Sequence, residues 1–451
     1  MGKKKFHKIF ISMLSFILIF SFLQPSQASA NEGLKINADA AILVEAETGK
    51  VLYAKNPDKV LGVASMTKMM TEYLVLEAIK EKKIKWDQTY EVSEYVYKVS
   101  QDRNLSNVPL KIGEKYTVRE LFEAMTIYSA NGATIALAEK VAGSEVEFVK
   151  LMNKKAKELG LKGYKFVNSS GLNNKDLKGM HPSNSGPEDE NVMSARSTAK
   201  LAYELIQTFP ELLEITSTPK KIFREGTDDQ IKMDNWNWML PSLVFAYEGM
   251  DGLKTGTTDF AGFCFTGTAK KKGMRLISVV MNATDENGKG TYNSRFIETK
   301  KLLDFGFNQF ELKEIFPKNY EVKGHKTVSV VKGKEKEVKV HSKEPFKMVV
   351  KSTDHEKYSP KFQPNTELLN DKKQIVAPIK KGETVGYLAV QAKERESLGY
   401  LTKEEANKAR VEVVTTQSVE KANWFILALR GIGGFFGDVW SSIVSTVKSW
   451  F

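Results

Sequence analysis

Strand-like segments flank a long helical stretch in the N-terminal part of the chain. Residues 40–54, AAILVEAETGKVLYA, have the pattern of two strands joined at a Thr-Gly turn. The strand pattern returns in FAGFCFTGTA from 260 and in MRLISVVMNA from 274. Helical periodicity marks 65–82, 118–128, 131–142, the segment from Ser194 and the segment from Ser294. This arrangement predicts an α/β domain over residues 31–311.

The rest of the chain changes character twice. Residues 312–414 contain short strand patterns separated by turn residues, as in KTVSVVKGKEKEVKVH, and predict a small β-rich domain. We see no chemistry in that domain and expect it to be a spacer or docking module. Residues 415–451 carry a helical stripe of apolar residues interrupted by charged and hydroxyl side chains. Such an amphipathic helix favours a membrane surface, and the alternative is a helix docked on the protein's own core.

Residues 1–30 have the layout of a secretory signal peptide. The basic segment MGKKKFHK precedes the apolar run Ile9–Leu23, and small residues lead to a cleavage point after Ala30. The alternative is an uncleaved anchor, but the run is shorter than the roughly 20 residues of a membrane span. We therefore expect an exported protein. Cleavage removes four lysines and lowers the net charge from +12 to +8, which favours anionic surfaces.

Composition argues against several classes of site. Cys264 is the single cysteine, so no intramolecular disulfide can form, and its apolar surroundings indicate a buried strand. The five histidines do not have metal-ligand spacing, and we expect neither a metal nor a cofactor. Export separates the protein from nucleic acid, which we therefore do not expect as a partner.

Three short motifs follow one another within the predicted α/β domain. S-x-x-K stands at Ser65 and Lys68, but the pattern occurs six times in the chain and is weak alone. S-x-N stands at Ser129 and Asn131 and also occurs in the signal region. K-T-G begins at Lys254 and occurs once. The ordered set, with gaps of 64 and 125 residues, is far more specific than any one of its members.

The spacing of the first motif suits nucleophilic catalysis. A serine hydroxyl needs a base, and residues i and i+3 of a helix face the same way, so Lys68 can reach Ser65. Lysine acts as a base only when it is neutral, and burial together with the positive charge of Lys254 would lower its pKa. The rival scheme is a Ser-His-Asp triad, for which His181 is the only histidine in the predicted domain. A serine–lysine scheme needs no histidine.

The chain resembles the low-molecular-mass penicillin-binding proteins, which are serine D-alanyl-D-alanine carboxypeptidases, over nearly its whole length. The segments FVNSSGL, MSAR and SRFIETKKLLDFG add to the resemblance. It implies a β-lactamase/transpeptidase-like fold with a central antiparallel sheet. The catalytic residues that it implies are the nucleophile Ser65, its base Lys68, and Ser129. The substrate-binding residues that it implies are Asn131, Lys254, Thr255, Thr257 and Arg295.

The implied reaction removes the terminal D-alanine from peptidoglycan pentapeptide stems through an acyl-serine, with β-lactam antibiotics as inhibitors. Two positions depart from the family pattern: Ala130 replaces a frequent glycine, and Thr257 replaces a histidine that some carboxypeptidases have. A class A-like β-lactamase is the first alternative, although KFVNSSGLNNK supplies no acid before Asp176 for deacylation. A non-catalytic wall-binding protein is the second, and the complete motif set argues against it.

Overall fold

The computed structural model describes residues 33–353, 358–371, 374–390, 398–402 and 410–427. The predicted signal peptide lies outside the described residues, and so does the predicted tail beyond residue 427. The chain divides into two compact units, Met1–Lys35 and Ile36–Phe451, and the second unit is described below.

Twelve strands and eight α-helices precede residue 310 in the described part of this unit. The strands are β1 (Ala38–Glu45), β2 (Val51–Lys55), β3 (Val60–Gly62), β4 (Thr89–Glu91), β5 (Lys115–Thr117), β6 (Tyr164–Lys165), β7 (Val192–Ser194), β8 (Lys220–Phe223), β9 (Ile231–Asp234), β10 (Met250–Thr258), β11 (Gly262–Lys271) and β12 (Met274–Ala283). The helices are α1 (Lys68–Lys80), α2 (Glu94–Ser100), α3 (Val118–Tyr128), α4 (Asn131–Ala142), α5 (Glu145–Glu158), α6 (Ala195–Thr208), α7 (Leu212–Thr216) and α8 (Ser294–Gln309).

The main sheet is antiparallel and has the strand order β10-β11-β12-β1-β2. Alternate residues of a strand point to opposite faces. Ile42 and Val44 of β1 belong to the large core formed with α1 and α3–α6, whereas Ala41 and Leu43 are equally buried on the face that α8 covers. Because helices cover both faces, these strands are almost continuously apolar. The predicted mixed α/β fold with a central antiparallel sheet is confirmed.

Strands β13 (Phe310–Phe316) to β20 (Val411–Thr415) form the β-rich part of the chain. The strands between them are β14 (Thr327–Val331), β15 (Glu337–Ser342), β16 (Phe346–Lys351), β17 (Pro360–Pro364), β18 (Ile375–Val376) and β19 (Thr384–Val390). Six of them form a sheet in the order β17-β19-β20-β15-β14-β18, and β13 pairs with β16. This part has a separate apolar core, to which Val419 contributes beyond the last strand. The all-β character that the sequence predicts is confirmed.

A short segment from the β-rich part covers the open edge of the main sheet. The Val51 amide of β2 donates to the Gly399 carbonyl over 2.9 Å, and the Leu401 amide donates to the Gly49 carbonyl over 2.9 Å. Lys50 Nζ adds a hydrogen bond of 2.7 Å to the Val349 carbonyl. An edge strand with unpaired backbone groups is prone to pair with other chains, and this segment satisfies part of that edge.

The predicted amphipathic tail can be followed only at its start, where residues 424–427 are helical. Trp424 is 78% exposed and Phe425 is 55% exposed, so these two apolar side chains of the predicted tail face solvent. Within the described residues, no helix combines the length and the apolar character needed to cross a membrane.

Candidate active site

Ser65 lies in a 3-10 turn that leads directly into α1. The turn spans Ala64–Thr67, so the helix predicted from residue 65 begins three residues later, at Lys68. A 3-10 helix has three residues per turn, which eclipses the side chains at i and i+3. Lys68 Nζ accordingly lies 3.0 Å from Ser65 Oγ. The spacing argument therefore holds, although the local helix type differs from the prediction.

Lys68 is fully buried, and its ammonium group has three acceptors. Besides Ser65 Oγ, Nζ donates to Asn131 Oδ1 over 2.8 Å and to the Ser170 carbonyl over 2.7 Å. Three acceptors match the three N–H bonds of a lysine ammonium and fix its position. The pKa of Lys68 is lowered well below its usual range, first by burial and then by the charge of Lys254, while Glu72 acts in the opposite direction. A lysine with this lowered pKa can lose a proton and serve as a base.

Ser129 and Asn131 stand at the junction between α3 and α4. A capping box of Thr117 and Glu120 fixes the start of α3, and Ser129 ends that helix in the left-handed conformation, with φ 59° and ψ 29°. Such a conformation is unfavourable for a non-glycine residue and is often found at functional sites. Ser129 is buried, and among the described residues its hydroxyl makes no hydrogen bond to another candidate residue.

Asn131, the first residue of α4, links the second motif to the first. Its Oδ1 accepts from Lys68, while its Nδ2 donates to the Ser106 carbonyl over 3.0 Å. The Ser106 carbonyl also accepts from the Asn131 amide over 2.9 Å. The loop before β5 thus fixes which end of the amide faces Lys68, since a carbonyl can bond only to the NH₂ end.

The third motif lies on β10, the edge strand of the main sheet, which passes close to the Ser65 turn. A Cβ at Gly256 would lie 2.6 Å from the Val63 carbonyl oxygen, so glycine permits this close approach. Lys254 is buried, and its Nζ donates to the Thr255 carbonyl over 3.2 Å. Burial lowers the pKa of Lys254, Glu72 acts to raise it, and Arg295 lowers it further. Lys254 therefore belongs to the same electrostatic group as Lys68.

Arg295 of α8 lies behind the end of the third motif. Its Nη1 donates to Thr257 Oγ1 over 2.8 Å and to the Gly256 carbonyl over 3.2 Å. The side chain is 1% exposed, and the guanidinium carbon lies 5.2 Å from the ring centroids of Tyr292 and Phe296. Burial lowers the pKa of Arg295 to about 10, which leaves it charged at neutral pH. A fixed cation therefore stands behind the Thr257 hydroxyl, and Thr255 is buried two residues earlier on β10.

Sequence reasoning gave no role to Ser170, whose carbonyl accepts from Lys68. The segment around it is held by buried polar groups: Glu145 Oε1 accepts from the Ser169 amide over 2.8 Å, and Asn168 Oδ1 accepts from the Gly171 amide over 2.7 Å. Thr71 Oγ1 donates to the Ser169 carbonyl over 2.7 Å. A backbone acceptor leaves no residue-type signal, although the family-like segment FVNSSGL marked its location.

Glu72 is the second residue that sequence reasoning missed. It lies on α1 four residues after Lys68 and is 1% exposed. Burial raises the pKa of this carboxyl group, while Lys254, the Thr126 hydroxyl and Lys68 act to lower it. The spacing from Lys68 was visible in the sequence, but a single acid on a helix ordinarily indicates a solvent-exposed face.

The geometry favours the serine–lysine scheme over the serine–histidine scheme. His181 lies in a loop, where its Nδ1 is 3.1 Å from the Pro182 carbonyl oxygen, whereas Ser65 Oγ receives its hydrogen bond from Lys68. In the part of the chain that the structure describes, no group of histidine, cysteine or acidic side chains is arranged to hold a metal ion. The site joins a serine hydroxyl, a buried amine and a strand edge that carries Lys254, an arrangement suited to acyl transfer.

Comparison with known families identifies the two parts of the chain. A family model described as D-alanyl-D-alanine carboxypeptidase matches residues 25–285, and one described as penicillin-binding protein 5, C-terminal domain, matches residues 310–421. The predicted family and the predicted serine-type hydrolase activity are thereby confirmed. The matches support the carboxypeptidase function over the β-lactamase and the non-catalytic alternatives.

Individual relatives agree with the family models. The D-alanyl-D-alanine carboxypeptidase DacF of Bacillus subtilis is 35% identical over 389 residues, which cover 85% of this chain and 90% of the relative. The structure of a peptidoglycan synthesis regulatory factor (PBP3) from Streptococcus pneumoniae is 36% identical, with a TM-score of 0.75 over 86% of this chain and 100% of that one. Penicillin-binding protein D2 from Listeria monocytogenes in the cefotaxime-bound form is 35% identical, with a TM-score of 0.50 over 61% of this chain and 100% of that one. The chain belongs to the D-alanyl-D-alanine carboxypeptidase family.

Proposed function

We propose that Ser65 is the nucleophile and Lys68 the general base of the D-alanyl-D-alanine carboxypeptidase reaction in this chain. The observation that carries the proposal is the 3.0 Å contact between Lys68 Nζ and Ser65 Oγ at a fully buried lysine. A base must lie within about 2.6–3.2 Å of the proton donor that it activates, and this pair meets that condition.

Acylation then begins with the transfer of a proton from Ser65 to Lys68. Lys68 takes the Ser65 proton while Oγ bonds to the carbonyl carbon of the penultimate D-alanine, and the carbonyl electron pair moves to its oxygen. The amides of Ser65 and Thr257 are our candidates for stabilising that oxyanion. When the C–N bond breaks, the proton passes through Ser129 to the nitrogen of the departing D-alanine. Water then hydrolyses the acyl-serine by the same route in reverse.

We assign Asn131, Lys254, Thr255, Thr257 and Arg295 to substrate binding. Asn131 holds Lys68 through Oδ1, and its proposed second role is to bind the substrate backbone. The terminal carboxylate is an anion, and the strand edge offers it the Lys254 charge together with the Thr255 and Thr257 hydroxyls. Arg295 supports Thr257 from behind, over 2.8 Å. Charge-assisted hydrogen bonds of this kind are about twice as strong as neutral ones.

The test of these roles is D-alanine release from a D-Ala-D-Ala peptide by the full chain. Ser65→Ala should abolish release, because Ser65 Oγ is the only hydroxyl to which Lys68 Nζ hydrogen-bonds among the described residues. Lys68→Ala should lower the rate by about 10²–10⁴, which is the usual contribution of a general base. Near-normal release by either variant contradicts the assignment.

The in vivo substrates that we propose are peptidoglycan pentapeptide stems, and removal of their terminal D-alanine would limit the donors available for cross-linking. The protein would thereby act in cell wall biogenesis and cell shape. We further propose that β-lactams acylate Ser65. The 35% identical penicillin-binding protein D2, studied in its cefotaxime-bound form, supports this extension.

We propose that the protein works at the outer face of the cytoplasmic membrane. The support is the signal-like segment 1–30, the apolar stripe of 415–451 and the exposure of Trp424 and Phe425 at the start of that stripe. In this scheme 31–311 is the catalytic domain and 312–414 is a β domain that acts as a spacer or docking module between site and membrane.

A further inference from the structure

A buried carboxylate lies one helical turn beyond Lys68 on α1. Glu72 is 1% exposed, and neither of its oxygens has a hydrogen-bond partner within the described residues. Residues i and i+4 of an α-helix share a face, so Glu72 and Lys68 project from the same side of α1. A carboxylate buried without hydrogen bonds is costly, and nearby opposite charge is the usual compensation.

The charged groups that act on Glu72 are the proposed base Lys68 and the proposed substrate-binding residue Lys254. Lys68 acts on it from its own helix, and Lys254 acts on it from β10. From α3 the neighbouring polar group is the Thr126 hydroxyl, which is itself buried without a hydrogen-bond partner in the described chain. The other helices packed on α1, namely α4, α5 and α6, add no charge to it within that part of the chain. The Glu72 carboxyl group, whose pKa burial raises to about 7, therefore interacts with two buried lysines.

We infer that Glu72 is a positioning residue whose carboxylate stabilises the Lys68 ammonium formed when Ser65 gives up its proton. The inference rests on the proposed roles of Ser65 and Lys68. Before acylation the base is a neutral amine, and after proton transfer it is a buried cation. The Glu72 carboxylate interacts electrostatically with that new charge across one turn of α1, and it does not contact the substrate. The interaction between Glu72 and Lys68 is stronger when Lys68 is charged than when it is neutral. An interaction accelerates a reaction only if it strengthens in this way between the ground state and the transition state.

The inference predicts a specific pH effect. Glu72 acts to raise the pKa of Lys68 and that of Lys254, so its removal lets both pKa values fall further. Acylation needs Lys68 to be neutral, so the pKa of Lys68 sets the acid limb of the rate profile. It also needs Lys254 to be charged, so the pKa of Lys254 sets the basic limb. Both limbs should therefore move to lower pH when the carboxylate is removed. A weaker base should also lower the plateau.

The experiment is the pH dependence of kcat/KM for a D-Ala-D-Ala peptide, measured with the full chain as wild type and as Glu72→Gln. We expect both limbs to move down by about one pH unit, the usual size of an environmental shift. The plateau should fall about tenfold, which is less than the loss of about 10²–10⁴ for removal of the base itself. Damage to packing alone would lower the plateau and leave both limbs in place.

Two further variants make the test decisive. Glu77→Gln, on the same helix, removes a carboxylate that pairs with Lys155 over 2.8 Å and should leave both limbs unchanged. Glu72→Met has a similar volume and leaves no buried amide unpaired, so it replaces Glu72→Gln if that variant does not fold. It should move both limbs in the same direction as Glu72→Gln.

The outcomes separate this inference from the proposed function. If a folded Glu72→Gln or Glu72→Met variant keeps both limbs of the kcat/KM profile at their wild-type pH, the role of Glu72 is overturned. If Lys68→Ala is inactive in the same experiment, the proposed role of Lys68 as the base still stands. Near-normal activity of Lys68→Ala overturns the proposed base, and the inference with it. A shift of both limbs in the Glu77→Gln control also overturns the inference, because the effect would then not be specific to Glu72.

Discussion

Lys68 Nζ donates a hydrogen bond of 2.8 Å to Asn131 Oδ1, which joins the first motif directly to the second. The two residues are 63 positions apart in the chain, and the bond forms because α1 and α4 pack against each other. The atom of Asn131 that faces Lys68 is the amide oxygen Oδ1, an uncharged hydrogen-bond acceptor. The site thus holds the lysine in place without adding a full negative charge beside Nζ.

Replacing this neutral acceptor by an anion should change the pH profile. Asn131→Asp places a carboxylate beside Lys68, and an opposite charge favours the ammonium form, so the pKa of Lys68 should rise. Less base is then available at neutral pH, and the acid limb of kcat/KM should move to higher pH. Asn319→Asp, an exposed position in the β-rich part, is the matched control. An acid limb that stays in place or moves to lower pH would show that Lys68 is not the titrating base.

The Arg295–Thr257 contact predicts discrimination between a free carboxylate and its amide. A charged hydrogen bond is worth about 1.5–3 kcal/mol, or roughly one to two decades in rate, so amidating the substrate should lower kcat/KM by that factor. Arg295→Ala should penalise the acid more than the amide, because only the acid carries the charge. Arg196→Ala, which loses a surface pair with Asp58, should affect both substrates equally. Equal losses for Arg295→Ala would mean that this arginine acts through structure alone.

Gly256 should tolerate no side chain. A Cβ there would lie 2.6 Å from the Val63 carbonyl oxygen, and relief of the clash must move β10 away from the Ser65 turn. A displacement of about 1 Å can cost roughly 100-fold in rate, so Gly256→Ala should lower acylation by about that factor. Gly186→Ala, where a Cβ meets only the flexible Asp189 side chain at 3.3 Å, is the control and should acylate normally. Stopped-flow acylation by a chromogenic β-lactam measures both variants.

The tail prediction is best tested by a deletion that begins at 424. Val419 belongs to the β-rich core and exchanges backbone hydrogen bonds of 2.8 and 2.9 Å with Ile379, so a cut at 418 would damage that core. Deleting 424–451 should move the mature enzyme from the membrane pellet to the supernatant, because the exposed apolar stripe is lost. Activity on a small D-Ala-D-Ala peptide should be unchanged. Continued pelleting would place the anchor elsewhere, most simply in an uncleaved N-terminal segment.

Much of the scaffold could be read from residue patterns. The hairpin at 40–54 and the helices at 118–128 and 131–142 appear where predicted, because a Thr-Gly turn between strand-like segments and apolar helical periodicity are local signals. The start of α1 was missed, since a 3-10 turn and an α-helix share their i, i+3 pattern over one turn.

The rest of the site depends on distant parts of the chain. Ser170 contributes a backbone carbonyl, and hydrogen bonds to the distant Glu145 and to Asn168 hold the segment that carries it. Glu72 is an acid that is buried because β10 and α3 pack against α1. This packing cannot be predicted from a short stretch of the sequence. The motifs therefore indicated the candidate residues Ser65, Lys68, Ser129 and Lys254, and the fold supplied the further groups that surround them.

The most direct test of the account is mass spectrometry of the protein after incubation with penicillin, with peptide mapping of the adduct. The account predicts a penicilloyl adduct on Ser65 in the wild type, no adduct in Ser65→Ala, and adduct formation slowed by about 10²–10⁴ in Lys68→Ala. An adduct on any other residue, or wild-type acylation of Lys68→Ala, would contradict it.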